Sequence, residues 1–468
     1  MIGRAANSLW EKARQVFSVI RLKPFDESAP ENRSKERYRR IALTSFAAIA
    51  ARGVGVLTAL ISVPLTLHYL GNERYGMWMT ISSVIAMLGF ADLGMGNGLV
   101  NAVSESDGKN DIEAAKKYIS SAFFLLLAIS TCLLIVFVTI YWFVPWASVY
   151  NVTSSLAIKE AGPATAVLLC SFFINMPLGV VQRTQMGYQE GFRTNIWTAV
   201  GSILGLIGVL VAIYLKAGLM WLVLAMAGGP VLAVLCNWYD FFFRLRRWLH
   251  PSWNAFDWKA GRKVAGTGAL FLILQIAALL GNASDNIIIA QILGASFVAG
   301  YAIMYKLFSV TMIAQYFLVP LWPAFGEAIA CGDRSWARRT LNRSIIVSLL
   351  LGFGVALPLM FFGKWFIAIW VGKDMVPSTF LLFGFIMWSL LHCYIGSIST
   401  FLNSGALVGQ QVKWFGFATV CALFLKIIGA PILQTEAVVW ATVIGYGLFY
   451  IIPATRIAYT YLDQPKNL

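Results

Sequence analysis

Apolar residues along this chain gather into long runs separated by short polar stretches. Twelve runs reach membrane length, at about residues 42–68, 76–98, 118–145, 162–182, 193–215, 219–243, 264–293, 297–325, 341–370, 379–402, 412–431 and 436–461. A helix needs about 20 such residues to cross a bilayer core, so each run predicts one transmembrane helix. The run at 264–293 is over-long and its last turns are polar, which predicts a break near Asn282. Ahead of the first run, Leu9, Trp10, Ala13, Val16, Phe17 and Ile20 recur at helical spacing, with Lys12, Arg14 and Arg21 off that face. That pattern predicts an amphipathic helix lying on an anionic leaflet. Residues 24–40 are too polar to build a core and read as a linker.

The polar remainder then sorts itself by side. Alternating the loops across twelve spans puts about 28 of the 36 Lys and Arg on the side of both termini and 5 on the other, with Arg52, Lys306 and Lys426 inside spans. By the positive-inside rule both termini are cytoplasmic. The net charge of +15 is therefore a topology signal, and no nucleic-acid partner is expected. Loops on the sparse side are short, so no extracytoplasmic domain is expected. The first 40 residues hold no uninterrupted apolar core, so no cleavable signal peptide is expected either. Composition agrees with an all-α polytopic membrane protein: 59% of residues are hydrophobic and 12% charged, against about 25% charged in ordinary domains. The six cysteines and three histidines are scattered without ligand spacing, so neither a metal nor another cofactor is expected.

The stretch Pro64–Glu105 concentrates the informative residues. It joins the end of one span, a polar turn over Gly71–Tyr75, and a second span carrying Asp92 among Gly89, Gly94, Gly96 and Gly98. A charge inside a span normally faces a partner or a wet cavity, and glycines allow close helix approach or bending. The second half of the chain repeats parts of this unit. LGNERYG at 70–76 corresponds to LGASFVAG at 293–300, and SESDGKNDIEAAKKY at 104–118 to GEAIACGDRSWARRT at 326–340. Both matches lie at an offset of about 222–224 residues, which predicts a six-plus-six duplication of the transporter type. The expected organisation is a basic N-terminal segment (1–41), an N-lobe (42–243), a cytoplasmic linker (244–263), a C-lobe (264–461) and a short cytoplasmic tail (462–468).

The order Arg52, Pro64, LG at 70–71, YG at 75–76, LGxxDLGxGNGLxN at 88–101 and SE at 104–105 resembles the Wzx-type polysaccharide flippases. These belong to the multidrug/oligosaccharidyl-lipid/polysaccharide (MOP) exporter superfamily, which includes the MATE transporters. The resemblance implies two six-helix lobes around a cavity, in the inner membrane of a bacterium. It also implies transport of an undecaprenyl-diphosphate-linked oligosaccharide repeat unit to the periplasmic leaflet, for O-antigen, capsule or exopolysaccharide. H+ or Na+ is the candidate coupling ion; membrane lipid, a polysaccharide polymerase and a chain-length regulator are the candidate partners. Two other readings stay open, a MATE-like cation or drug exporter and a non-transporting component of a polysaccharide assembly complex. A membrane enzyme is disfavoured, because the chain has no large extramembrane loop and no paired-carboxylate metal motif.

Moving such a substrate needs cations for the diphosphate, polar and aromatic surfaces for the sugar, and hinges. Arg52, flanked by Gly53 and Gly55, is the first candidate cation, followed by Lys306 and Lys426. Asp92 and Asp285 are the candidate coupling or salt-bridge acids, with Arg52 or Lys306 as expected partners. Gln275, Asn282 and Asn286 fall on one helical face, and Tyr301, Tyr305, Met312 and Tyr316 on another, as candidate cavity lining. Pro64, Gly94, Gly96 and Gly98 are the candidate hinges.

Overall fold

A computed structural model describes residues 30–87, 90–150, 152–293, 295–370, 376–404 and 407–463. The amphipathic segment expected around Leu9–Ile20 lies outside the described residues, as does Gly89. Among the described residues the fold is helical throughout, with no strand. Ten helices there are long and apolar enough to cross a membrane, judged by length and composition.

The chain divides into two compact units, the first ending at Gly268 and the second beginning at Ala269. The first contains α1 (Pro30–Met87), α2 (Met95–Gly108), α3 (Ile112–Tyr141), α4 (Ser155–Leu178), α5 (Val180–Gly187), α6 (Gly191–Tyr214) and α7 (Leu219–Tyr239). The boundary falls within α8 (Trp258–Ile292). The second unit continues with α9 (Ala295–Phe308), α10 (Leu321–Ala330), α11 (Arg334–Trp370), α12 (Thr379–Leu402), α13 (Val408–Tyr446) and α14 (Ile452–Asp463).

Several spans depart from the expectation. The predicted polar turn at Gly71–Tyr75 is a single non-helical residue, Gly71 (φ 75°, ψ 170°), inside α1. Positive φ costs glycine little, so the helix swivels there and resumes. The span expected at 76–98 is not one helix. The chain leaves α1 at Met87, turns through Leu93 (φ 50°) and Gly94 (φ 72°), and starts α2 at Met95. In the other direction, the break expected near Asn282 is absent and α8 runs unbroken past it. The span expected at 297–325 is broken instead by a 3-10 turn at Ser309–Ala314, ahead of Pro320 and Pro323. The last two spans join into α13 with one non-helical residue, Gln434 (φ 53°), just after Pro431.

The repeat is visible in backbone hydrogen bonds. Asp111 N–H donates to Ser106 O at 2.9 Å and Asp333 N–H to Ala328 O at 2.8 Å, each after a positive-φ residue, Asn110 or Gly332. Each aspartate then caps the following helix: Asp111 Oδ1 accepts from Ala114 N at 2.9 Å, and Asp333 Oδ1 from Trp336 N at 3.1 Å. All these pairs lie 222 residues apart. A side-chain cap satisfies one of the unpaired N–H groups at a helix start, so the acid recurs where the turn needs it.

Small residues bring helices together. A methyl group at Gly229 of α7 would stand 2.4 Å from Gly205 N of α6, and one at Gly98 of α2 would stand 2.3 Å from Val264 O of α8. Only glycine permits those backbone approaches, the packing mode expected where lipid supplies no hydrophobic drive. Around them, the first unit holds buried Leu99, Ile119, Val181, Phe241 and Val264. The second packs Phe308, Phe385, Trp388 and Val439.

Candidate functional site

Within each unit, charged side chains meet inside the helical packing. In the second unit Asp285 projects from α8 and Lys426 from α13. Lys426 Nζ donates to Asp285 Oδ1 at 2.5 Å and to Gly281 O at 2.6 Å. Tyr301 of α9 donates its hydroxyl to Asp285 Oδ2 at 2.7 Å. The Lys426 side chain is 0% exposed and that of Asp285 6%, so the pair is shut off from solvent. Burying two charges is expensive unless their lone pairs and protons are satisfied, and here both carboxylate oxygens have donors. Tyr446 stands over Gly281 and shares a 2.8 Å hydrogen bond with Thr419. On α12, His392 packs on the Trp388 ring at 4.2 Å between centroids.

In the first unit Asp92 caps the start of α2, its Oδ1 accepting from Gly94 N at 2.9 Å and its Oδ2 from Gly96 N at 3.3 Å. The guanidinium of Arg183, on α5, donates to Asn97 Oδ1 at 3.0 Å. A methyl at Gly96 would sit 2.7 Å from Arg183 Nε and 3.0 Å from Asp92 Oδ2. Glycine at this point lets the cation and the carboxylate converge on the helix start. Because the apolar span ends at about residue 182, Arg183 counts in sequence among the loop charges on the side of both termini. The signal that could have found it is the need of Asp92 for a counter-charge.

The predicted residues are thus placed as follows. Asp285 meets Lys426, rather than Arg52 or Lys306, and Asp92 lies beside Arg183. Arg52 and Lys306 are exposed, with no ion pair among the described residues. Tyr301 is buried against Asp285, and Tyr305 is half-buried against Trp388 at 5.3 Å. Gln275 is half-buried and Asn286 exposed, while the side chain of Asn282 lies outside the described residues. Met312 and Tyr316 are half-buried. Pro64 stands on an exposed face of α1; Gly94 adopts positive φ; Gly96 and Gly98 are close-contact positions.

Three further ion clusters tie the first unit together, one at one end and two at the other. At one end Arg74 grips Glu160 with two hydrogen bonds of 2.7 and 2.8 Å, and Glu160 also accepts from Leu219 N at 2.9 Å. Beside it Glu73 accepts from the amides of Thr153 (2.6 Å) and Ser154 (3.1 Å). The Ser154 hydroxyl and these amides pull the Glu73 carboxyl down to about 2. At the other end Glu190 binds Arg246 (2.6 Å) and Arg193 (3.0 Å), and Glu105 binds Lys109 (2.6 Å) and Lys263 (2.9 Å). Burial works to raise the Glu105 carboxyl, but its bonds to the two lysines outweigh this and hold it below the usual range.

The family described as polysaccharide biosynthesis protein matches residues 43–328. A protein of Salmonella typhi named as a candidate O-antigen transporter is 25% identical over 322 residues, 68% of this chain and 70% of its own. A likewise named protein of Salmonella typhimurium is 22% identical over 426 residues, 85% of this chain and 93% of its own. Among solved structures, an outward-facing multidrug resistance MATE family transporter of the MOP superfamily superposes with TM-score 0.76 at 16% identity. That match covers 91% of this chain and 97% of the other. A MOP superfamily transporter from Pyrococcus furiosus gives TM-score 0.75 at 15% identity with the same coverage. The fold is therefore of the MATE type.

Proposed function

The chain belongs to the polysaccharide biosynthesis protein family, and we propose that it flips an undecaprenyl-diphosphate-linked oligosaccharide repeat unit from the cytoplasmic to the periplasmic leaflet. It is a multi-pass membrane transporter, not an enzyme, of the Wzx type within the MOP superfamily. The observation that carries the substrate reading is the family match over residues 43–328. The fold alone would serve a drug exporter equally, since the MATE likeness is at 16% identity. Two relatives named as candidate O-antigen transporters point the same way.

In this reading the lobes are residues 42–243 and 264–461, joined by 244–263, with both termini cytoplasmic. Arg52 and Lys306 serve the diphosphate, because each is exposed and has no ion pair among the described residues. A guanidinium can present two parallel N–H groups to phosphate oxygens, whereas an ammonium acts as a point charge. Lys426 is engaged by Asp285, so this pair is assigned to coupling. A proton arriving on the Asp285 carboxylate neutralises it and leaves the Lys426 ammonium with the Gly281 carbonyl. That change biases the packing of α8 against α13 and so the balance between two access states.

Thermal unfolding of the purified protein with added ligands tests the substrate class. A polyprenyl-diphosphate sugar should raise Tm, since a ligand that binds only the folded state stabilises it. Stabilisation by organic cations alone would favour the drug-exporter reading and contradict this one.

A further inference from the structure

A second polar locus lies apart from both charged centres, where the chain leaves α7. Lys116 on α3 and Phe242, Phe243, Arg247, His250 and Ser252 on the segment after α7 line a cavity of about 420 Å³. That volume falls within the roughly 300–1,000 Å³ typical of small-ligand pockets. The local fold explains the concavity. A widened turn closed by Arg246 N–H donating to Phe241 O at 2.8 Å ends the helix, and buried Leu249 anchors the loop. Ser252 N–H is then tied to Ser120 Oγ of α3 at 3.2 Å.

The lining is positive and aromatic, with no carboxylate in it. Lys116 is half-buried, yet its ammonium makes no hydrogen bond or ion pair among the described residues. Arg247 is held by one bond from Nε to Phe243 O at 2.7 Å, which leaves its terminal N–H groups for another acceptor. His250 packs edge-on against the Phe243 ring at 4.7 Å. The same loop exposes Trp248 (52%) and Trp253 (68%), and the start of α8 exposes Trp258 (65%). Exposed indoles at the end of a membrane-spanning unit belong at headgroup level, so the ligand that reaches this pocket arrives from the bilayer surface.

We propose that this pocket binds the phosphate headgroup of an anionic membrane lipid, with Lys116 and Arg247 on the phosphate and the exposed Phe243 ring against the glycerol. Basic pockets between membrane helices on the cytoplasmic side bind anionic lipid headgroups. The site differs from the transport substrate's in place and residues, and stands whether or not the flippase reading does.

Native mass spectrometry of the full chain, titrated with phosphatidylglycerol, cardiolipin or phosphatidylcholine of matched tails, tests it. The anionic lipids should be retained and phosphatidylcholine not. The Lys116→Gln/Arg247→Gln variant should lose roughly 10- to 30-fold in apparent affinity, as two neutralised contacts imply. Lys259→Gln/Arg262→Gln, exposed in the first turns of α8 and outside the pocket, should bind normally. Lys116→Arg/Arg247→Lys should restore binding, which separates charge from folding. Equal losses in both neutralised pairs would reduce the effect to general surface charge and overturn the proposal. Displacement by inorganic phosphate at equal concentration would overturn it too, since the site would then read a free anion and not a lipid.

Discussion

Lys426 and Asp285 are 141 residues apart in sequence and 2.5 Å apart in space, both buried, with Tyr301 completing the carboxylate's hydrogen bonds. Removing one partner leaves an uncompensated buried charge, which costs about 3–5 kcal/mol. Lys426→Met should therefore destabilise the protein by about that amount. Asp285→Asn/Lys426→Met should recover most of the loss, because the groups couple as neighbours do. Equilibrium unfolding of the two single variants and the double reads this directly. Strictly additive losses would show that the pair is not the unit the geometry describes.

Arg52 and Arg183 should respond differently to truncation. Arg52 is exposed and uncommitted, so Arg52→Ala should abolish transport at normal membrane abundance, and Arg52→Lys should keep part of it if charge alone matters. Arg183 supports the start of α2 through Asn97, so Arg183→Ala should lower abundance as well as transport. Quantitative blotting alongside a transport assay separates the two. Normal transport by Arg52→Ala would remove that residue from the substrate path.

Close packing makes a sharper contrast between two glycines near the start of α8. Gly98→Ala places a methyl 2.3 Å from Val264 O, and overpacking of this kind costs about 1–3 kcal/mol or more. A methyl added at Gly266 would meet nothing within 4 Å, so Gly266→Ala should be neutral or stabilising by up to about 1 kcal/mol. Thermal midpoints of the two variants should move in opposite directions or differ by several degrees.

Acid should leave the Glu73 clasp intact. A carboxyl depressed in the folded state contributes its full stability above its unfolded value and loses it progressively as pH falls from there through the folded one, here about 2. Thr153 and Ser154 amides, corrected for intrinsic rates, should stay protected from hydrogen exchange at pH 4 to within a few-fold of pH 7. Glu73→Gln should lose that protection at both. Loss of protection in the native chain by pH 4 would contradict the assignment.

Much of the fold was legible because hydrophobic period and length dictate membrane helices with little help from tertiary context. The breaks were less legible. Gly71 reads as the start of a turn, yet its neighbours return to helix; nothing apolar or polar around Leu93 announces a left-handed residue in the middle of an apolar run. Repetition at an offset of about 222 was readable from Asp111 and Asp333, since both acids do the same capping work. At the charged centres, residue types were readable and partners were not. Asp285 had three intramembrane cations to choose from, and only the packing of α8 against α13 selects Lys426. Arg183 escaped notice because a guanidinium near a span end looks the same in sequence whether it faces headgroups or turns inward.

The most direct measurement follows a fluorescent undecaprenyl-diphosphate sugar in proteoliposomes, using a membrane-impermeant quencher, with and without an imposed pH or sodium gradient. Protein-dependent change in the quenchable fraction, driven by the pH gradient and lost in Asp285→Asn, is the predicted result. No change with several sugars, together with efflux of small organic cations, would contradict the flippase account.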